Sequence, residues 1–292
     1  MASLITLKRR IGSIKNTRQI TKAMQLVSAS KLRRAQEAAQ ASRDYRIAAY
    51  GLLARLNQIS EVEQQPLFRK RKIDSRLYIV ITSNSGLAGA YNANVLKQLA
   101  AAIRKDQADG VKTSVLTIGS KAVQFVRRIH GVELLAHYPA FGDKPTENDI
   151  RPILDTVIAQ YRDEQVDEVR LLYTDFRSTV SQIVTDIALL PAMLSSEDVA
   201  EVKEANIAAM NFEPDVETVV HNVATRLIEL QIWQGLLESL ASEHSMRMIA
   251  MKNATDNATD LIADYTLEYN TARQAAITQE LAEISAGVEA MK

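Results

Sequence analysis

Apolar residues recur through the last third of the chain in alternating steps of three and four. From Val216 the steps fall on Val220, Val223, Leu227, Leu230, Gln234, Leu237, Ala241, His244, Met248, Met251, Thr255, Ala258, Ile262, Tyr265, Tyr269, Ala272 and Ala276, and fifteen of the 18 are apolar. A repeat of about 3.5 residues is the seam of a left-handed coiled coil. Pro214, Asp215 and Glu217 sit where a helix N-terminus favours proline and acids. The first segment carries a weaker stripe. Leu4, Leu7, Ile11 and Ile14 keep the step, Ile20, Met24 and Val27 repeat it in a shifted frame, and Leu32, Ala35, Ala39, Ala49, Leu53 and Leu56 resume the first. Such drift predicts either a stutter or contacts on more than one side of the helix.

No proline precedes Pro66 and none follows Pro214. Proline costs about 3 kcal/mol inside a helix, so both ends are free to form very long ones. The middle changes period. Arg76–Ser83, Thr113–Ser120, Val132–Tyr138 and Glu168–Phe176 read as strands, separated by helical patterns over Tyr91–Ala108, Lys121–Ile129 and Thr146–Arg162. That alternation predicts a Rossmann-like α/β domain with a mostly parallel sheet. Val180–Pro191 follows Phe176 after a short turn and predicts an antiparallel edge hairpin. The expected division is an N-terminal coiled-coil helix over 1–60, a linker over 61–76, the α/β domain over 77–192, a second linker over 193–213 and a C-terminal coiled-coil helix over 214–292. At about 1.5 Å per residue the two helices would run roughly 85 and 110 Å, against a diameter of about 35 Å for such a middle domain. The expected fold is thus an α/β foot with a long antiparallel coiled coil, whose overhanging apolar surface needs a partner to cover it.

Composition removes several classes of chemistry. With no cysteine there are no disulfides, thiolate metal sites or thiol nucleophiles. Four scattered histidines do not assemble a metal centre, and no apolar run approaches the ~18–20 residues of a membrane span. The net charge of zero hides an asymmetry. Residues 1–76 carry 17 Lys and Arg against 5 Asp and Glu, whereas residues 210–292 carry 5 against 13. Either the two ends face each other or the basic one faces an acidic partner.

The candidate motifs are weak. Ser83–Asn92 joins a strand to a helix, the place where open α/β sheets bind phosphates, but neither a P-loop lysine nor the GxGxxG spacing is present. Ser28-Ala-Ser-Lys31 matches an S-x-x-K motif without its companion motifs, and Glu243-His244 lacks the second histidine of a zincin. His244 on the seam reads as a packed polar break, and Met246, Met248 and Met251 as filler. Two Asn-Ala-Thr sequons, at Asn253 and Asn257, carry no weight in a cytoplasmic chain. The basic residues of the first helix are too dispersed for a DNA grip, so no nucleic acid is expected. No nucleophile–base pair can be assembled.

Ile11–Gln36, Gly86–Asn92, Ile118–Ala122 and above all Ala272–Gly287 (ARQAAITQELAEISAG) are similar to segments of the gamma subunit of F-type ATP synthases, and the resemblance spans the whole chain. It implies a noncatalytic, proton-driven rotor shaft inside a ring of three α and three β chains, with an epsilon subunit and a membrane ring of c subunits as further partners. It also implies a peripheral location on the cytoplasmic face of the bacterial cell membrane, no membrane insertion and no cofactor. Ala275, Ala276, Ser285, Ala286 and Gly287 would form a thin tip. Lys22 and Met24 match positions facing acidic β loops, Arg273 and Gln274 match a pair bonding a β loop near the tip, and Phe212 and Glu213 match the foot segment beside the rotor ring. Where the family has Asp-Arg-Gly-Leu-Cys-Gly, this chain has Asn84-Ser85-Gly86-Leu87-Ala88-Gly89, and Phe212 stands where tyrosine is usual. The rival readings are a coiled-coil adaptor with a nucleotide-sensing domain and a small α/β transferase using the Ser83–Asn92 turn.

Overall fold

The computed structural model describes residues 4–56, 65–142, 145–192 and 216–291. Their elements run α1 (Leu4–Leu56), β1 (Ser75–Ile81), α2 (Tyr91–Asp109), β2 (Lys112–Ile118), α3 (Ser120–Val126), β3 (Val132–Tyr138), α4 (Glu147–Arg162), β4 (Glu168–Phe176), β5 (Gln182–Leu190) and α5 (Val216–Glu289). The chain divides into two compact units. A coil unit comprises Met1–Ala29 with Arg247–Lys292, and a sheet unit comprises Ser30–Met246.

In the sheet unit the strands form one sheet in the order β3-β2-β1-β4-β5, all parallel except β5, which pairs antiparallel with β4 at the edge. β1 lies at the centre, so both of its faces are covered and its sequence is a continuous apolar run rather than an alternation. Leu77, Ile79, Leu116 and Leu171 face Ile150, Ile153 and Val157 of α4 and Val220, Leu227 and Ile228 of α5. On the opposite face Tyr78, Val80, Val115 and Leu172 pack on Val95, Leu99 and Ile103 of α2 and Ala122 and Val126 of α3. Gly235 permits the close approach of α5, since a Cβ there would lie 2.8 Å from Leu171 Cδ2 and 3.3 Å from Tyr173 Cγ.

β4 runs beyond β1: their pairing ends at Val80 opposite Leu172, while β4 continues beside β5 to Phe176. Backbone groups of that overhang need other partners. Two buried serines of α5 supply them, and a third serves the turn that follows β4. The Thr174 N–H donates to Ser239 Oγ at 3.1 Å, Ser242 Oγ donates to the Thr174 carbonyl at 3.2 Å, and Ser245 Oγ donates to the Thr179 carbonyl at 3.1 Å. A helix thus stands in for a missing strand.

At the other end of the strands lies an ion network. Arg76 bonds Glu168 and the fully buried Asp106, and Arg170 bonds Glu168 at 2.9 Å and Asp186 at 2.8 Å. Tyr78 donates to Asp106 at 2.9 Å; burial, and then this carboxylate, push its phenol well above the usual range. Burial works against the Arg76 charge, but its bond to Glu168 and the surrounding carboxylates outweigh it. Each ion therefore has its counter-ion, the condition for tolerating such burial.

In the coil unit the seam of α5 runs as the periodicity predicts: Met251, Thr255 and Ala258 are buried, and Ile262, Tyr265, Tyr269, Ala272 and Ala276 are half-buried. For α1 the expected drift is not a stutter. One unbroken frame runs through Leu4, Leu7, Ile11, Ile14, Arg18, Thr21, Gln25 and Ser28. Polar residues occupy its middle, while Ile20 and Val27, read as a shifted seam, are 61% and 54% exposed on the outer side. The polar seam is internally satisfied. Thr255 Oγ1 and Thr21 Oγ1 are 2.8 Å apart, Ser28 Oγ donates to the Met24 carbonyl at 2.7 Å, and the Arg10 guanidinium lies over the Tyr265 ring at 5.9 Å.

Candidate partner-binding surfaces

The two cross-contacts of the coil unit fix its register. Thr21 faces Thr255 and Arg10 faces Tyr265, so stepping back along α1 steps forward along α5, an antiparallel pair. By that register Leu4 falls near Ala272, and no described residue of α1 lies opposite the helix beyond. Every described residue from 277 to 288 is exposed. Within this tip Ile277, Leu281, Ile284 and Val288 follow steps of four, three and four along one face. The tip is therefore not uniformly small, as the alanines and glycine of its sequence suggest. It carries an uncovered apolar stripe.

The same excess extends along the coil. Of the fifteen exposed large apolar side chains among the described residues, eleven belong to the coil unit, including Ile5, Ile20, Leu26 and Val27 on α1 and Leu261 and Leu267 on α5. Beside them charge is separated by helix. Lys8, Lys15 and Lys22 line one exposed flank of α1 at steps of seven, and Asp256, Asp260, Asp264 and Glu268 line an exposed face of α5 at steps of four. No ion pair among the described residues joins these two rows. The basic end thus keeps a cationic flank directed outward, with apolar side chains nearby, a combination suited to an acidic partner.

The expected site residues separate into two places. Lys22 is exposed, its Nζ 3.2 Å from Gln25 Oε1, and Met24 is half-buried, both close to the Thr21–Thr255 layer. Arg273 and Gln274 are exposed, just past the last α5 position with a described α1 residue opposite it. About 18 residues of helix, near 27 Å, separate the two along α5. Phe212 and Glu213 lie outside the described residues. The outer apolar row of α1 corresponds to the second reading of its drifting stripe, side chains directed to more than one side of the helix, and Ile20 and Val27 belong to it.

In the sheet unit the turn after β1 occupies the usual ligand position of an open α/β sheet, and its polar groups are engaged with one another. The Ser83 N–H donates to Asn92 Oδ1 at 3.0 Å. Asn84 Oδ1 accepts from the Ala140 N–H at 3.0 Å and the Ser120 N–H at 3.3 Å, while its Nδ2 donates to the Ala140 carbonyl at 3.1 Å. A neutral amide in place of the family's aspartate is thus a staple between the ends of three strands. No cluster of His, Asp and Glu suited to a metal occurs among the described residues, and no helix among them is long and apolar enough to cross a membrane.

A family model described as ATP synthase matches residues 3–291. Over all 292 residues the chain is 41% identical to the ATP synthase gamma chain of Geobacter metallireducens and 40% identical to that of Xylella fastidiosa, with 100% of each sequence covered. The chain belongs to the ATP synthase gamma chain family. Its fold is shared by solved chains of mitochondrial ATP synthases. One, from a Tetrahymena thermophila structure of the central stalk and c-ring, has a TM-score of 0.63 at 24% identity, covering 80% of this chain and 99% of that one. Another, from a Euglena gracilis complex in rotational state 3, has a TM-score of 0.67 at 19% identity, covering 99% and 94%. The gamma-family assignment accounts for an α/β sheet and two terminal helices in one chain, as the sequence predicts.

Proposed function

We propose that this chain is the noncatalytic central shaft of an F-type ATP synthase. It turns inside a ring of three α and three β chains, with its α/β foot on the membrane ring of c subunits and an epsilon subunit beside it. It sits on the cytoplasmic face of a bacterial membrane without entering the bilayer, and holds no cofactor of its own. One observation carries the reading beyond family membership: the α5 tip bears an exposed apolar stripe that no described residue covers, which calls for a protein sleeve. The cationic flank with Lys22, beside Met24, meets acidic β loops. Arg273 and Gln274 bond a β loop near the tip, and Phe212 and Glu213 contact the rotor ring.

No reacting group is needed in the shaft. Its cross-section is asymmetric in charge and in apolar surface, so each orientation favours a different set of β conformations. Rotation then becomes a change of affinity at the three β sites, a coupling free energy between distant places. The test is a tagged pull-down from gently solubilised membranes with intact-complex mass spectrometry. Recovery with three α and three β chains, and magnesium-dependent ATPase activity in the eluate, is expected. Recovery of the chain alone, or as a small homo-oligomer, overturns the reading. In the recovered complex Arg273→Ala with Gln274→Ala should weaken torque or assembly, and undiminished coupling of ATP hydrolysis to proton pumping would remove those residues from the interface.

A further inference from the structure

Within the sheet unit a cavity of about 250 Å³ opens between α1, the residues Gly142 and Pro145, and α5. Lys31, Arg34, Ala35 and Ala38 line it from one face of α1, at steps of three and four, and Leu237, Leu240 and His244 line it from α5. Its walls are mainly alkyl. Its polar groups are two cations and an imidazole, with no carboxylate among the lining residues. Arg34 is exposed and makes no ion pair with another described residue, and the acid one turn on, Glu37, is held by Arg33 at 2.9 Å. His244 is only 7% exposed. The sequence pattern suggests a register-setting break for this histidine, whereas the structure makes it part of a cavity wall.

Apolar walls, two cations and a largely buried hydrogen-bonding ring describe the complement of one ligand type. We propose that this cavity is a binding site for a small amphipathic anion, whose phosphate, sulfate or carboxylate head is taken by Lys31 and Arg34 beside His244 and whose alkyl or aryl body lies on Leu237, Leu240 and Ala35. The head alone gains two charge-assisted contacts in a partly hydrated place, and the body alone gains burial without orientation. Only their combination uses both walls. Such a ligand touches α1 and α5 at once, so its binding free energy adds to the stability of their packing within the sheet unit. The site does not depend on the rotor reading, because the isolated full-length chain suffices to test it.

Octyl phosphate below its micelle concentration is the probe, with inorganic phosphate as head alone and octanol as body alone. Binding is followed by the His244 ring resonances and by the thermal unfolding midpoint. We expect saturable one-to-one binding of octyl phosphate, at least about tenfold tighter than either control, since each control forfeits one set of contacts. Arg34→Gln and Lys31→Gln should each raise the dissociation constant about tenfold. Ala38→Leu, which fills the cavity from its exposed rim, should weaken binding without loss of helix signal in circular dichroism. Octanol binding as tightly as octyl phosphate, non-saturating uptake, or wild-type affinity in Arg34→Gln would each overturn the proposal.

Discussion

Gly119 should be the least replaceable residue of the sheet unit. It sits between β2 and α3 at φ 94°, ψ 144°, a region that side-chain-bearing residues avoid. A Cβ built there lies 2.0 Å from the Thr82 carbonyl oxygen and 2.6 Å from its carbon. That obstacle is backbone, so it cannot rotate aside. To admit a methyl group, the ends of β1 and β2 must part. Their parting strains the Thr82 N–H bond to the Ile118 carbonyl, 2.8 Å, and the Ala122 N–H bond to Thr82 Oγ1, 3.1 Å. The unfavourable conformation costs about 1–3 kcal/mol. The two bonds add about 1 kcal/mol each. Gly119→Ala should therefore destabilise the sheet by about 3–5 kcal/mol, a large share of a typical domain's ~5–15. The control is Gly86→Ala, in the turn after β1, where a Cβ meets nothing within 4 Å. Urea unfolding, with amide exchange of β1 and β2 as the local readout, should show Gly119→Ala shifted to lower urea by about 1 M or more and Gly86→Ala nearly unmoved. A Gly119→Ala protein within about 1 kcal/mol of wild type would refute this account of the turn.

Three further outcomes follow from named contacts. Ser239→Ala leaves the buried Thr174 N–H without its acceptor and should cost about 1–3 kcal/mol, with faster exchange of that amide; unchanged exchange would show that the serine is not its partner. Thr21→Val or Thr255→Val should each cost no more than about 1 kcal/mol, because the hydroxyl that remains keeps a backbone acceptor, the Arg18 carbonyl for Thr21 at 3.1 Å and the Met251 carbonyl for Thr255 at 2.8 Å, and the double variant should cost less than the sum of the two; strictly additive losses would show that the two are uncoupled. Asp167 accepts from the N–H groups of Ser75 at 2.8 Å and Asp74 at 3.0 Å. Burial alone would raise its carboxyl, but these donors, the Ser75 hydroxyl and Arg71 hold it below the usual range. Its contribution is present above the unfolded value near ~3.9 and is lost as pH falls through the lower folded value. Asp167→Asn should therefore lower stability at pH 7 and flatten the acid limb of the stability–pH curve below about pH 4, and a limb of wild-type slope would contradict the assignment.

Elements with a long uninterrupted period were legible because nothing competed with it. The proline-free ends gave α1 and α5, and the switch to short β-branched runs gave the strands within a residue or two of their observed bounds. The antiparallel edge was legible from the alternation in β5 and the short turn before it. What escaped depends on partners distant in sequence. Ser239 and Ser242 find Thr174 across 65 and 68 residues, and Arg76 finds Asp106 and Glu168 across 30 and 92. No local pattern encodes such a meeting, although three serines spaced by three along one helix were a usable sign. The tip residues Arg273 and Gln274 could be placed by motif, but not the exposure of the apolar stripe from Ile277 to Val288 just beyond them. That depends on a register set by Thr21 and Arg10 across the coil.

The drift of α1, which the sequence left as a stutter or as contacts on more than one side, has a single physical root. Reading a seam from apolar positions assumes that apolar side chains point inward, and between Arg18 and Ser28 Ile20, Leu26 and Val27 point outward instead. Each alkyl side chain moved from seam to surface forgoes about 1.5–3 kcal/mol of burial. Hydroxyl pairs such as Thr21–Thr255 return only about 1 kcal/mol of that. A helix pair arranged in this way holds itself together less firmly than its length suggests. It can regain the difference only by burying Ile20, Leu26, Val27 and the stripe from Ile277 to Val288 against another protein. The distribution that produces the drifting stripe of α1 is thus itself an argument for a surrounding partner, one that would meet the outer side of the coil rather than its seam.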